Sequence, residues 1–279
     1  MNFDKALRKI VPSAASLTYN PIIKRLLNII DFMPRHTFKE FSNIPPNHLR
    51  VRVGVANRIF ANQVYYLNQA TDFWLHAFLS GLCRLDSHIL DIGCGCGRFA
   101  HHLRDYRFKQ EAFTGRYIGI DIDEEMLDWC RRNFDSERFE FHRSSDVSKV
   151  YNVPGINNLA YALPIADGSI DFVFSTSLFT HLLEPELINY NKESFRVLKP
   201  GGSMAMYCFS MDRPPPSFGN RHTFGFKIGN SYAESMEVPE AAVAYEESFL
   251  FKVAHEAGFV TAEMLVGPED SQPMLLCHK

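Results

Sequence analysis

The chain has 279 residues, of which 46% are hydrophobic and 22% charged, with a net charge of −3. That balance suits one large globular α/β unit with additions. It offers no global basic field to recruit nucleic acid, and no run approaches the roughly eighteen apolar residues of a membrane span.

The start, Met1 to Val11, carries Asp4, Lys5, Arg8 and Lys9 and lacks the long apolar centre of a signal peptide, so a cytoplasmic location is expected. Pro12, Pro21, Pro34, Pro45 and Pro46 divide the first eighty residues into short pieces. Within them Ile22 to Phe32 reads as an amphipathic helix, with Ile23, Leu26, Leu27 and Ile30 on one stripe. Its two cations make a membrane surface a weaker partner than the sheet domain or a second subunit. A second helix is expected over Asn62 to Leu82, leading into the first strand. Residues 1–80 are therefore read as a helical cap that contributes to the substrate region, and 81–279 as the cofactor-binding domain.

The most informative stretch runs from His88 to Gly97. An apolar run, Ile89 to Ile92, enters a loop with glycine at every second position, Gly93, Gly95 and Gly97. A helical pattern follows, with Phe99, Leu103 and Tyr106 on one face. A strand, a glycine turn and a helix start make a cofactor cradle, because the backbone turns tightly and presents free N–H groups. The dinucleotide pattern G-x-G-x-x-G fails, since its third glycine position falls on Arg98. A second apolar run, Tyr117 to Ile120, ends in Asp121, placed to hold the two hydroxyls of a ribose. Asp123 is an N-cap for the helix through Met126 and Cys130, or a ligand contact.

Phe139 to Phe141 is a third short strand, closing toward Asp146. The segment Ala162 to Phe174 leads through a turn into a fourth strand, which ends in Ser175-Thr176-Ser177 before Leu178-Phe179-Thr180-His181. Val197-Leu198-Lys199-Pro200-Gly201-Gly202 stops a helix and starts a fifth apolar run, Met204 to Phe209. Strands alternating with helices give a doubly wound, mostly parallel sheet. The polar stretch Ser210 to Val238, with Pro214-Pro215-Pro216, makes residues 210–247 a lid-like insertion. Glu246 to Ala257 reads as a helix closed by Gly258, and Thr261 to Val266 and Met274 to Cys277 as a terminal antiparallel pair. The six cysteines are scattered through apolar positions and read as buried thiols of a reducing compartment rather than as a metal site.

Asp91-Ile92-Gly93-Cys94-Gly95-Cys96-Gly97, with Asp121 beyond it, resembles motif I and the ribose-binding acid of the class I S-adenosylmethionine (SAM)-dependent methyltransferases. The resemblance covers about Asp86 to Phe209. It implies a Rossmann-like methyltransferase sheet, with SAM as cofactor and S-adenosylhomocysteine (SAH) as product. It implies that Asp91 holds the amino acid part of SAM, that Gly93, Cys94, Gly95 and Gly97 line the loop, and that Asp121 binds the ribose. Ile122 and Met126 would pack the adenine and Asp146 would bond it, with Leu159 or Ala160 as alternatives at that last point. His181 is either a general base for a hydroxyl acceptor or a capping or packing residue; His48, His222, Tyr245 and Glu246 are weaker candidates.

Ile44 to Gly54, together with Ser177 to His181, resembles a small-molecule, type 11-like branch associated with glycan and polysaccharide genes. The expected acceptor is an oxygen, or less readily a nitrogen, of a small molecule such as a sugar or glycan precursor. Arg50, Arg52, Arg58 and Arg221 would then grip a sugar, carboxylate or phosphate, or form surface ion pairs. The alternatives are a catalytically silent SAM- or SAH-binding partner subunit and an NAD-dependent oxidoreductase, the latter disfavoured by the loop spacing.

Overall fold

The computed structural model describes residues 17–53, 62–144, 161–176, 178–213, 222–266 and 272–279. Asp146, Leu159, Ala160, Arg58, Ser177 and Arg221 lie outside them.

Helix α1 (Pro21–Thr37) opens the described chain, capped by Asn20, whose side chain accepts from Ile22 N and Ile23 N. Two short helical turns, Lys39–Ser42 and Asn47–Arg50, follow, then α2 (Gln63–Leu79). The sheet region runs β1 (His88–Ile92), α3 (Arg98–Asp105), β2 (Arg116–Asp121), α4 (Glu124–Asn133), β3 (Phe139–Arg143), β4 (Ile170–Ser175), α5 (Glu184–Val197) and β5 (Leu198–Tyr207). After β6 (Phe209–Ser210), β7 (Phe226–Ile228), β8 (Ser231–Ala233) and β9 (Val243–Tyr245) come α6 (Glu247–Ala257), β10 (Thr261–Leu265) and β11 (Met274–His278).

The seven-stranded sheet has the order β10-β11-β5-β4-β1-β2-β3. Pairings among β1 to β5 are parallel, and β11 runs antiparallel to both β5 and β10. This is the Rossmann-like methyltransferase arrangement expected from the sequence. Parallel strands need long crossovers, and the helices supply them. From β1 the chain moves outward to β2 and β3, then returns to the other side of β1 for β4. That reversal opens a crevice at the C-terminal ends of β1 and β4.

Alternation along the strands sends one set of side chains to each face. Ile89, Tyr117, Phe172 and Phe174 pack with α2, α3 and α4. Leu90, Ile118, Val173 and Met204 pack with α5 and α6. Helix α2 is well inside the first layer: the Phe73 ring lies 4.6 Å from Phe174 and 4.9 Å from Phe99. All six cysteines are reduced and buried.

Three expectations change in detail. The N-terminal helix extends to Thr37, and its buried residues are Leu27 and Asp31, so of the anticipated apolar stripe only Leu27 is buried against the protein. The fifth strand begins at Leu198, directly after α5, so the Pro-Gly-Gly stop lies within the strand. The insertion is structured in its described part, as a four-stranded sheet of order β6-β9-β8-β7.

Candidate functional site

The crevice is built by the turn after β1. Gly93 N–H and Cys94 N–H donate to Ile120 O at 2.8 and 3.0 Å, tying the turn to the end of β2. Gly95 N–H donates to Asp121 Oδ2 at 2.7 Å. At Gly95 the backbone has φ +55°, and a Cβ there would lie 2.6 Å from Val53 Cγ1 and 3.6 Å from Met126 Sδ. Gly97 is the left-handed N-cap of α3, φ +74°, and a Cβ would crowd Cys130 Sγ at 3.1 Å and the Phe134 ring. Both positions therefore exclude a side chain by conformation and by space.

Two carboxyls sit under this loop. Asp91 is fully buried; its Oδ2 accepts from the Tyr117 hydroxyl, and its Oδ1 has no hydrogen-bond partner among the described residues. Burial pushes its pKa up to about 7, against the Tyr117 hydrogen bond and nearby Arg98. Asp121 Oδ1 accepts from Asp123 N–H at 2.9 Å. Burial raises its pKa to about 6, although backbone N–H groups of Asp123 and Gly95 oppose this. A buried carboxylate short of compensation favours a cationic ligand. Ile122 is half-buried beside it and Met126 is buried. Asp91, Gly93, Cys94, Gly95, Gly97, Asp121, Ile122 and Met126 thus converge at one sheet edge.

Asp123 is the N-cap of α4, its Oδ1 accepting from Glu125 N–H at 3.1 Å. Its Oδ2 has a second task that the sequence did not reveal. It accepts from Arg52 Nη1 at 2.9 Å and from the Tyr19 hydroxyl at 2.7 Å. Arg52 also reaches Glu125 at 2.9 Å and lies 3.9 Å over the Tyr19 ring. Burial alone would raise the Glu125 carboxyl, but Lys24, Arg52 and His48 hold it down to about 2. Arg50 is bidentate on Asp31, at 2.6 and 3.0 Å, and donates to Asn62 at 2.9 Å. Arg50 and Arg52 are therefore buried struts of the cap, not grips for a sugar, carboxylate or phosphate and not surface ion pairs. The readable signal was their alternation with Leu49, Val51 and Val53, which places two guanidiniums in an apolar run.

His181 lies in a short 3₁₀ turn, Phe179–His181, beyond β4. Its Nδ1 is 2.9 Å from Glu240 O, joining the strand end to the insertion. Burial lowers its pKa, against the Glu240 and Ala241 backbone, so the ring is neutral at pH 7. The other candidates are engaged as well. His48 bridges Asn28 and Glu125. Tyr245 donates to Leu182 O at 2.8 Å, Glu246 accepts from Tyr232, and His222 stacks on Phe224.

Residues 90–206 match the family described as methyltransferase domain. The chain is 28% identical to a demethylmenaquinone methyltransferase of Lactococcus lactis over 63% of this chain and 66% of that one. It is 31% identical to the ubiquinone/menaquinone biosynthesis C-methyltransferase UbiE of Rickettsia prowazekii over 49% and 50%. The chain thus spans half to just under two thirds of the length of these relatives. Among solved structures it resembles the PH0226 protein of Pyrococcus horikoshii, with 19% identity and a TM-score of 0.50 over 76% of this chain and 90% of that one, a likeness of fold. Residues 90–206, from within β1 to within β5, are thus similar to a methyltransferase domain.

Proposed function

We propose that the protein transfers a methyl group from SAM to a hydroxyl-bearing small molecule at the crevice between β1 and β4. The observation that carries this reading is the hydrogen bond from Gly95 N–H to Asp121, above the buried, half-satisfied carboxyl of Asp91. A loop that tolerates no Cβ, a buried and half-satisfied carboxyl at Asp91 and a second carboxyl, Asp121, at the neighbouring strand end suit a ligand that carries an ammonium, a sulfonium and a ribose diol.

Asp91 would hold the ammonium, directly or through water, and Asp121 the ribose hydroxyls, with Ile122 and Met126 against the adenine. Bound SAM supplies an electrophilic methyl group on a sulfonium. The chain's part is to align the acceptor with that methyl group and to exclude water. The N-terminal segment, which reaches the loop through Val53, and the 210–247 insertion, tied in by His181, would frame the acceptor.

The acceptor atom follows from the state of the candidate bases. His48, His181, Tyr245 and Glu246 each have a protein partner. An acceptor acidic enough to enter as an anion, such as a phenol or enol, needs no base. It can react at its oxygen or at the conjugated carbon, the latter in keeping with the C-methyltransferase relative. A sugar hydroxyl, the acceptor suggested by the Ile44–Gly54 and Ser177–His181 resemblance, requires a base, and His181 is the candidate at the strand end.

Calorimetric titration with SAM, SAH and NAD tests the cofactor. Micromolar SAH binding without an NAD signal supports the reading, and no SAM or SAH binding by folded protein overturns it. SAH release is then measured with phenolic and sugar acceptors. Turnover of a sugar that His181→Gln abolishes, with SAH affinity unchanged, would select the sugar reading. SAH binding without turnover of any acceptor would select the silent partner subunit.

A further inference from the structure

Helix α1 is mounted with its polarity reversed. Its buried positions are Leu27 and Asp31, and Asp31 is taken up by Arg50, with Gln63 donating at 2.9 Å. The opposite side is apolar and open: Ile22, Leu26, Ile29 and Met33, spaced three or four residues apart, are 71%, 55%, 61% and 70% exposed. Ile30 and Phe32 flank them at 38% and 57%. An aqueous surface gains nothing from a continuous apolar stripe, and a stripe of this kind marks a face that is covered in use.

Charge indicates what covers it. Residues 17–40 carry Lys24, Arg25, Arg35 and Lys39 against Asp31 and Glu40, in a chain whose net charge is −3. The one acid of α1 points inward, so beside the stripe the helix presents exposed Arg25, and just beyond its end Lys39 is exposed next to the exposed Glu40, leaving the exposed charge of this segment positive. A second copy packed on this stripe about a two-fold axis would bring these cations toward each other. An anionic lipid surface accepts both the stripe and the cations.

We propose that α1 lies in the interface of an anionic phospholipid bilayer, with Ile22, Leu26, Ile29 and Met33 inserted and Arg25 and Lys39 at headgroup level. The start of the helix is anchored to the site: Tyr19 bonds Asp123, and Lys24 pairs with Glu125. The lipid-facing stripe therefore begins beside the C-terminal edge of the sheet. On the methyltransferase reading above, on which this last consequence rests, an amphiphilic acceptor dissolved in the bilayer would reach the crevice without crossing water.

The test is vesicle flotation of the full chain with phosphatidylcholine alone and with phosphatidylcholine mixed with phosphatidylglycerol. Expected are binding to the mixed vesicles and more than about tenfold weaker binding by Leu26→Glu/Ile29→Ser, the loss of two inserted side chains. Arg25→Glu should weaken binding to mixed vesicles only. Calorimetry with SAH on the same variants reports the cofactor site separately. Absent SAH binding with intact flotation defeats the methyltransferase reading and leaves the docking standing. Full-length protein that stays off both vesicles overturns the docking. So does a wild-type dimer that Leu26→Glu/Ile29→Ser converts to monomer, which assigns the stripe to a second copy.

Discussion

Arg52 Nη1 donates to Asp123 Oδ2 at 2.9 Å, across a sequence separation of 71 residues, and the acceptor is the N-cap of α4 two residues after Asp121. The N-terminal segment is thereby fixed to the strand end that carries the proposed ribose acid. Because Arg52 and Asp123 are both buried, the pair is costly to break on one side only. Arg52→Met should destabilise the fold by about 3 kcal/mol or more, the range for a buried charge left without its partner. Urea unfolding measures it, and a loss below about 1 kcal/mol, the scale of a surface pair, would show that the contact is not formed.

Gly95→Ala places a methyl group where Val53 Cγ1 would be 2.6 Å away, in a backbone with φ +55°. The left-handed conformation alone costs roughly 1–2 kcal/mol for a residue with a Cβ. SAH affinity should fall more than about tenfold, consistent with that penalty expressed in the loop. In Gly95→Ala/Val53→Ala part of the affinity should return, because the steric share is removed and the conformational share is not. Equal affinities of the single and double variants would show that Val53 does not cover the loop.

Asp121→Ala removes the acceptor of Gly95 N–H and the proposed ribose ligand together. SAM and SAH binding should disappear, while far-ultraviolet dichroism and cooperative unfolding persist. Retained affinity in this variant would overturn the placement of the cofactor.

The pH dependence has a definite sign. Asp91 and Asp121 titrate at about 7 and about 6, above the ordinary aspartate value. Between about pH 4 and pH 7 these two carboxyls hold more protons in the folded chain than in the unfolded one, so their contribution to stability falls as pH rises through that window and then levels. Buried His101 and His102, lowered to about 4, contribute in the opposite direction. A cationic cofactor lowers both carboxyl values and releases protons on binding, so SAM affinity should rise from about pH 6 to about pH 8. Titrations in buffers of different ionisation enthalpy count those protons. Asp91→Asn, which keeps an oxygen for the Tyr117 hydroxyl, should flatten the profile. An affinity independent of pH in the wild type would place the cofactor's charge elsewhere.

Phe73→Ala, in α2, should cost about 3–5 kcal/mol as a large core truncation, because the ring packs against Phe99, Phe172 and Phe174. A near-neutral change would mean that α2 folds on its own rather than as part of the sheet's first layer.

The local pattern from His88 to Asp121 determines the cradle by itself. Alternate glycines admit one backbone path, and a strand ending in an acid puts that acid at the sheet edge. Asp123 as N-cap and Gly258 as a helix stop are equally local, since capping is a matter of a few neighbouring backbone groups. The orientation of α1 is not local. Its sequence has an apolar stripe, but which side turns inward is decided by Arg50 and Gln63, which hold Asp31 from distant positions. The roles of Arg50 and Arg52 are undecided in the sequence for the same reason. A guanidinium's partners lie tens of residues away, and only packing brings them within hydrogen-bond reach. Nor can the sequence show that His181 meets the Glu240 carbonyl, because that contact exists only once the insertion folds as a small sheet against the end of β4.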